Sequence, residues 1–153
     1  MLRTQHRFFR SLLVAVDTVL IVVASIAAYL LRFGPLRDVG TPAGDFAYSS
    51  HAIPIHTVAP IMLLTMAWVG LYRPRRDQRF FREFGDLVKA VAIGVLLTFA
   101  VISFFGRTLY GGLDPSRLQY VLFGGIALVG LALWRFSFRI TLRRLRERGW
   151  NLR

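Results

Sequence analysis

The sequence predicts an all-α protein: a bundle of four transmembrane helices with a basic amphipathic cytoplasmic helix extension at its C-terminal end. Three observations predict it. Residues 46–72 carry no charged side chain over 27 positions. Five arginines follow at once within residues 73–82. Basic residues then crowd into alternate connecting segments along the whole chain. A helix needs about 20 mostly apolar residues to cross a hydrocarbon layer roughly 30 Å thick, and arginines gather where such a chain emerges on the cytoplasmic side.

Composition narrows the function classes. A length of 153 residues leaves room for one domain, and 55% hydrophobic residues are more than an ordinary soluble fold of this size can bury. Cysteine is absent, which excludes disulfides, thiolate nucleophiles and cysteine metal sites. The histidines, His6, His51 and His56, have no metal-binding spacing. A net charge of +12 suits nucleic acid in principle. The arginines, however, lie in blocks at the ends of apolar runs, where anionic lipid headgroups are the nearer partner. Nucleic acid is therefore excluded as a partner.

The first span is expected over residues 11–32, preceded by a lead-in holding Arg3, Arg7 and Arg10. It is longer than a signal-peptide core and contains an acid, Asp17. A loop punctuated by Gly34, Pro35, Gly40, Pro42 and Gly44 follows. The second span is expected over residues 52–72. Pro54 sits early in it at little cost, whereas Pro60 lies deeper and should kink or restart the helix. The third span is expected over residues 87–105, with Lys89 near its start. Residues 106–118 read as a turn-rich link holding Gly111, Gly112, Asp114, Pro115 and Ser116; the last three equally suit a cap of the next helix, with Pro115 at an early helical position. The fourth span is expected over residues 119–134, where Gly124, Gly125 and Gly130 permit close helix approach. From 135 to 148 the chain turns basic, with Arg135, Arg139, Arg143 and Arg146 on one helical face. That pattern is a basic amphipathic helix at the headgroup layer.

Orientation follows from the arginine distribution. The N-terminal segment has three, the loop after the second span five, and the tail from Arg135 seven; the two other loops hold two each. Both termini are thus expected in the cytoplasm.

Asp17 lies about 9 Å inside the first span. A carboxylate there is costly unless it faces the bundle and finds a partner. Lys89 and Arg135 approach the same depth from other spans, so these three are the candidate intrabundle charges. Lys89 is the preferred partner, because Arg135 can snorkel to the headgroups more readily. The candidate lipid-phosphate or headgroup contacts are Arg73, Arg75, Arg76, Arg79, Arg82, Arg139 and Arg143, since arginine forks match phosphate oxygens. Positive-inside anchoring explains the same residues without a ligand. No nucleophile–base pair or paired carboxylate is present, so no catalytic residue is assigned.

Several stretches, in order, resemble the N-terminal membrane region of bacterial polyprenyl-phosphate sugar-1-phosphate transferases of exopolysaccharide and O-antigen synthesis. They are Val16-Asp-Thr-Val, Ala28-Tyr-Leu-Leu-Arg-Phe, Gly70-Leu-Tyr-Arg, Arg82-Glu-Phe, Ser116-Arg and the ending Arg148-Gly-Trp-Asn-Leu-Arg. In that family an Asp-Glu pair in a C-terminal cytoplasmic domain carries the chemistry; no such dipeptide occurs here. The resemblance therefore implies a non-catalytic membrane domain of a longer enzyme. That enzyme would transfer sugar phosphate from a UDP-sugar to undecaprenyl phosphate. It also implies location in the bacterial inner membrane. No cofactor is expected in this segment, and Mg2+ is expected only for the absent catalytic domain. The expected partners are anionic phospholipid, undecaprenyl phosphate, the chain's own catalytic domain and a second copy of the chain. Membrane-bound nucleotide-sugar dehydratases and epimerases are similar in the same region and form the alternative. A free-standing four-span accessory or lipid-translocating protein is the third reading.

Overall fold

The computed structural model describes residues 2–35, 53–72, 80–110 and 116–147. They form four helices: α1 (Leu2–Phe33), α2 (Ile55–Val69), α3 (Phe80–Tyr110) and α4 (Arg117–Glu147). Among the described residues there is no strand. Expectations for residues 36–52, for Arg73, Arg75, Arg76 and Arg79, and for residues 111–115 and 148–153 lie outside the described residues. So does the side chain of Arg143.

α1 runs unbroken for 32 residues because no glycine or proline interrupts it. The Gly34-Pro35 step ends it, with the Gly34 amide donating to Leu30 O at 2.9 Å. The expected lead-in before residue 11 is thus the first part of the same helix.

α2 is shorter than the expected second span. Pro54 takes the N-cap position, its carbonyl accepting from the amides of Thr57 and Val58. At the other end Gly70 turns left-handed, with φ 86°. Its amide donates to Ala67 O at 3.1 Å and that of Leu71 to Met66 O at 3.0 Å. This doubled closure is the Schellman stop, which favours glycine because a Cβ is disfavoured at positive φ. The 15 residues between these stops rise about 22 Å, short of a full hydrocarbon crossing. Pro60 lies inside the helix, which continues past it, so the expected restart does not occur.

α3 and α4 each have 31 residues. α3 extends beyond the expected end of its span to Tyr110, which shortens the link to α4. α4 is one continuous helix from the fourth span into the basic segment. The apolar windows of α1, α3 and α4 are Ser11–Phe33, Phe81–Gly106 and Arg117–Thr141. These three helices are long and apolar enough to cross a membrane.

The helices close into a ring. α1 packs against α4 and α2, and α3 packs against α2 and α4. Their inner faces follow helical spacing: Ile21, Ala24 and Ala28; Val58, Met62 and Met66; Leu87, Ala90 and Val91; Phe123, Ala127 and Leu131. α2 side chains press on the α3 backbone at Gly94, where a Cβ would run into Met62 Sδ and lie 3.0 Å from Thr65 Oγ1. The outer faces are apolar as well, with Trp68, Leu96, Phe104, Val121 and Leu133 all exposed. Helices apolar on every side suit lipid rather than water.

Candidate functional site: a charged cluster at one end of the ring

The cluster begins with Asp17 on α1. It is the sole charged residue between Arg10 and Arg32, and its helical phase puts it one turn before the core residue Ile21. The side chain is fully buried. Its Oδ2 accepts two hydrogen bonds, from Arg135 Nη2 at 2.7 Å and from the Tyr72 hydroxyl at 2.9 Å. Oδ1 has no hydrogen-bond partner.

Arg135 belongs to α4, one turn after the buried Leu131. Its side chain is only 8% exposed. Asp17 lies six residues inside the Ser11 end of its apolar window, and Arg135 six residues inside the Thr141 end of its own. Each is about 9 Å from its boundary along the helix, so the antiparallel helices bring the two charges to one depth. An ion pair there avoids leaving either charge alone in a low-dielectric interior.

Tyr72 follows the Gly70 turn, which swings the chain back across the end of the ring. Its hydroxyl also lies 3.4 Å from Met66 Sδ, and the Arg135 guanidinium carbon lies 5.8 Å from its ring centroid. Arg135 thus meets a carboxylate and an aromatic face together. From α3, Glu83 Oε2 accepts from Arg139 Nη1 at 3.3 Å, and Glu83 Oε1 stands 3.9 Å from Arg135 Nη1, beyond hydrogen-bond reach. All four helices or their immediate flanks therefore contribute to one network. Beside it, a shallow recess between α3 and α4 is lined by Glu83, Arg135 and Arg139, with Phe84, Leu87 and Phe136 as apolar walls.

Of the residues expected from the sequence, the structure brings Asp17 and Arg135 together and places Arg139 at the same cluster. The preference for Lys89 as partner is corrected. Lys89 is exposed on α3, off the face formed by Leu87, Ala90 and Val91, and α1 packs beside α2 and α4 rather than α3. Arg82 is exposed next to Glu83. Tyr72 and Glu83 had no role in the sequence reading beyond their places in quoted stretches. The available signal was that a tyrosine directly after an apolar helix needs a partner for its hydroxyl when buried.

The opposite end carries a second polar group. Arg32 is 2% exposed, its Nε donates to Ser116 Oγ at 3.0 Å, and its guanidinium lies 5.6 Å from the Phe33 ring centroid. This joins the end of α1 to the start of α4. Ser116 directly precedes α4, one residue later than an early helical Pro115 would put the helix start, and its carbonyl accepts from the Gln119 amide at 2.9 Å. The Gln119 side chain is fully buried, and neither of its polar atoms has a hydrogen-bond partner. His56 is exposed on α2. Among the described residues no group of three or more His, Cys, Asp or Glu could hold a metal ion.

Residues 67–153 match a family model described as a CoA-binding domain. The chain belongs to this family. The CoA-binding-domain match includes α3 and α4 whole, with Tyr72, Glu83, Arg135 and Arg139, and leaves Asp17 outside it. The domain is found in proteins related to polyprenyl-phosphate sugar transferases. No curated protein matches the chain, and no solved structure does.

Proposed function

We propose that this chain is the non-catalytic membrane domain of a polyprenyl-phosphate sugar-1-phosphate transferase. The parent enzyme moves a sugar phosphate from a UDP-sugar to undecaprenyl phosphate in the bacterial inner membrane. The observation that carries the reading is the family match over residues 67–153, which is to a domain found in proteins related to such transferases. The ordered stretches from Val16-Asp-Thr-Val to Arg148-Gly-Trp-Asn-Leu-Arg support it over the whole length. In this reading the bundle anchors a cytoplasmic domain that α4 leads into, with both chain ends on the cytoplasmic side.

Coenzyme A itself is not part of the proposal. The α3–α4 recess encloses about 300 Å³ between Glu83, Arg135, Arg139 and four apolar residues, too little for a nucleotide, a pyrophosphate and a pantetheine arm together. The described residues do not fit a group that carries a nucleotide and a pyrophosphate.

The deciding experiment is an assay of a longer polypeptide that contains residues 1–153, in membranes with undecaprenyl phosphate and a panel of UDP-sugars. Release of UMP with formation of a lipid-linked sugar phosphate is the expected result. Conversion of the nucleotide-sugar with no UMP and no lipid product would replace this reading with the dehydratase one. The 153-residue chain alone should show neither reaction, because the Asp-Glu pair that carries the chemistry in the family it resembles does not occur in this sequence.

A further inference from the structure

The recess between α3 and α4 joins guanidinium donors that the ion pair with Asp17 leaves unused to an apolar wall. Arg135 is over nine-tenths buried at its edge, yet its Nε has no hydrogen-bond partner and its Nη1 is 3.9 Å from Glu83 Oε1. Asp17 uses only Nη2. Arg139, one turn further along α4, is half exposed and meets Glu83 at 3.3 Å. Glu83 is itself one-third exposed, so its carboxylate is a weakly held anion between two guanidinium groups. Its apolar wall is open to the outside: Phe84 and Phe136 line it and are exposed. The recess lies where the apolar window of α3 begins and that of α4 ends, which is the depth of a headgroup. Guanidinium donors at that depth, with apolar walls running toward the hydrocarbon, match a phosphodiester joined to acyl chains.

We propose that the α3–α4 recess is a binding site for the headgroup of an anionic phospholipid, which displaces Glu83 from between Arg135 and Arg139. Glu83 marks the anion position when no lipid is present. Arg139 supplies the outer donors and Arg135 the inner ones, while Phe84, Leu87 and Phe136 line the path of the first acyl carbons. The inference rests on the membrane-spanning helices and the cluster alone, so it stands or falls separately from the transferase reading.

The test is lipid retention by the purified chain in detergent. Phosphatidylglycerol and phosphatidylcholine with identical acyl chains are offered together, and bound lipid is counted by native mass spectrometry. The expected result is preferential retention of phosphatidylglycerol. Arg139→Gln should lower it about fivefold, the effect of one basic side chain at an anionic surface. Glu83→Gln should raise it several-fold. Arg117→Gln removes the same charge from an exposed position at the other end of α4 and should leave it unchanged. Equal retention of both lipids, or equal losses in the Arg139 and Arg117 variants, would overturn the proposal. So would loss of retention in Glu83→Gln. A final arm adds glycerol 3-phosphate at the lipid concentration. Full competition by this tailless anion would show that the recess takes a soluble phosphate and not a lipid.

Discussion

At Oδ2 of Asp17 two donors from different parts of the chain converge, and the free energy at stake can be divided between them. Removing one partner of a buried ion pair leaves the other charge uncompensated, which costs about 3–5 kcal/mol. Asp17→Leu should therefore lower stability by that amount, read as a shift in thermal or denaturant unfolding in detergent. Asp17→Leu with Arg135→Leu should recover most of the loss, because two apolar side chains replace two charges of matching position. A double variant as unstable as the single one would show that the pair is not the source. Tyr72→Phe keeps the ring under Arg135 and removes only the hydroxyl, so a loss of about 1 kcal/mol is expected. Asp17 was legible as a bundle-facing acid, since an acid within an apolar run has few acceptable positions. Its partner was not legible. Lys89 and Arg135 lie at similar depth, and only the order of helices around the ring and the phase of α3 distinguish them.

At the scale of the helix, glycines with the same spacing do different work. The sequence pointed to Gly124, Gly125 and Gly130 as sites of close approach. A Cβ on Gly124 would press on Val95 Cγ2 at 3.2 Å as expected, one on Gly125 would meet nothing within 4 Å, and one on Gly94 would strike the fully buried Met62. Gly94→Leu should thus cost about 1–3 kcal/mol by overpacking the α2–α3 contact. Gly125→Ala should stay within about 0.5 kcal/mol of the wild type. Unfolding curves of both variants, with unchanged m-values, check the contrast. Spacing alone could not rank these positions, because which face of a helix meets a backbone is decided by its partner. The end of α1 was better encoded, because the Gly34-Pro35 step stops it through local backbone geometry.

For the whole molecule, the arginine distribution predicts sidedness, and the absence of cysteine makes the prediction easy to examine. Single cysteines introduced as Gly40→Cys and Asp77→Cys should label from opposite faces of sealed vesicles, position 40 from outside the cell and position 77 from the cytoplasm. The reverse pattern would invert the bundle. Apolar content and charge asymmetry made the all-helical class and its three long apolar helices legible. The length of α2 was not, since lack of charge continues through Tyr72 while the helix ends at Val69. Lack of charge reports the solvent a segment tolerates, while the Pro54 and Gly70 stops determine how much of it is helix.

The ion pair also sets an order of events in biogenesis. Asp17 emerges from the ribosome 118 residues ahead of Arg135. At about 5–20 residues per second, the nascent chain spends about 6–24 s with that carboxylate lacking its cation. Tyr72 arrives first, 55 residues after Asp17, and its hydroxyl can shelter the acid until α4 is made. Arrested chains ending before α4 should then be cleared rapidly by membrane quality control. Asp17→Leu should prolong the half-life of those truncated chains while leaving the complete Asp17→Leu protein less stable than the wild type. One residue would thus act as an assembly check on the bundle, tolerated only once α4 has been inserted.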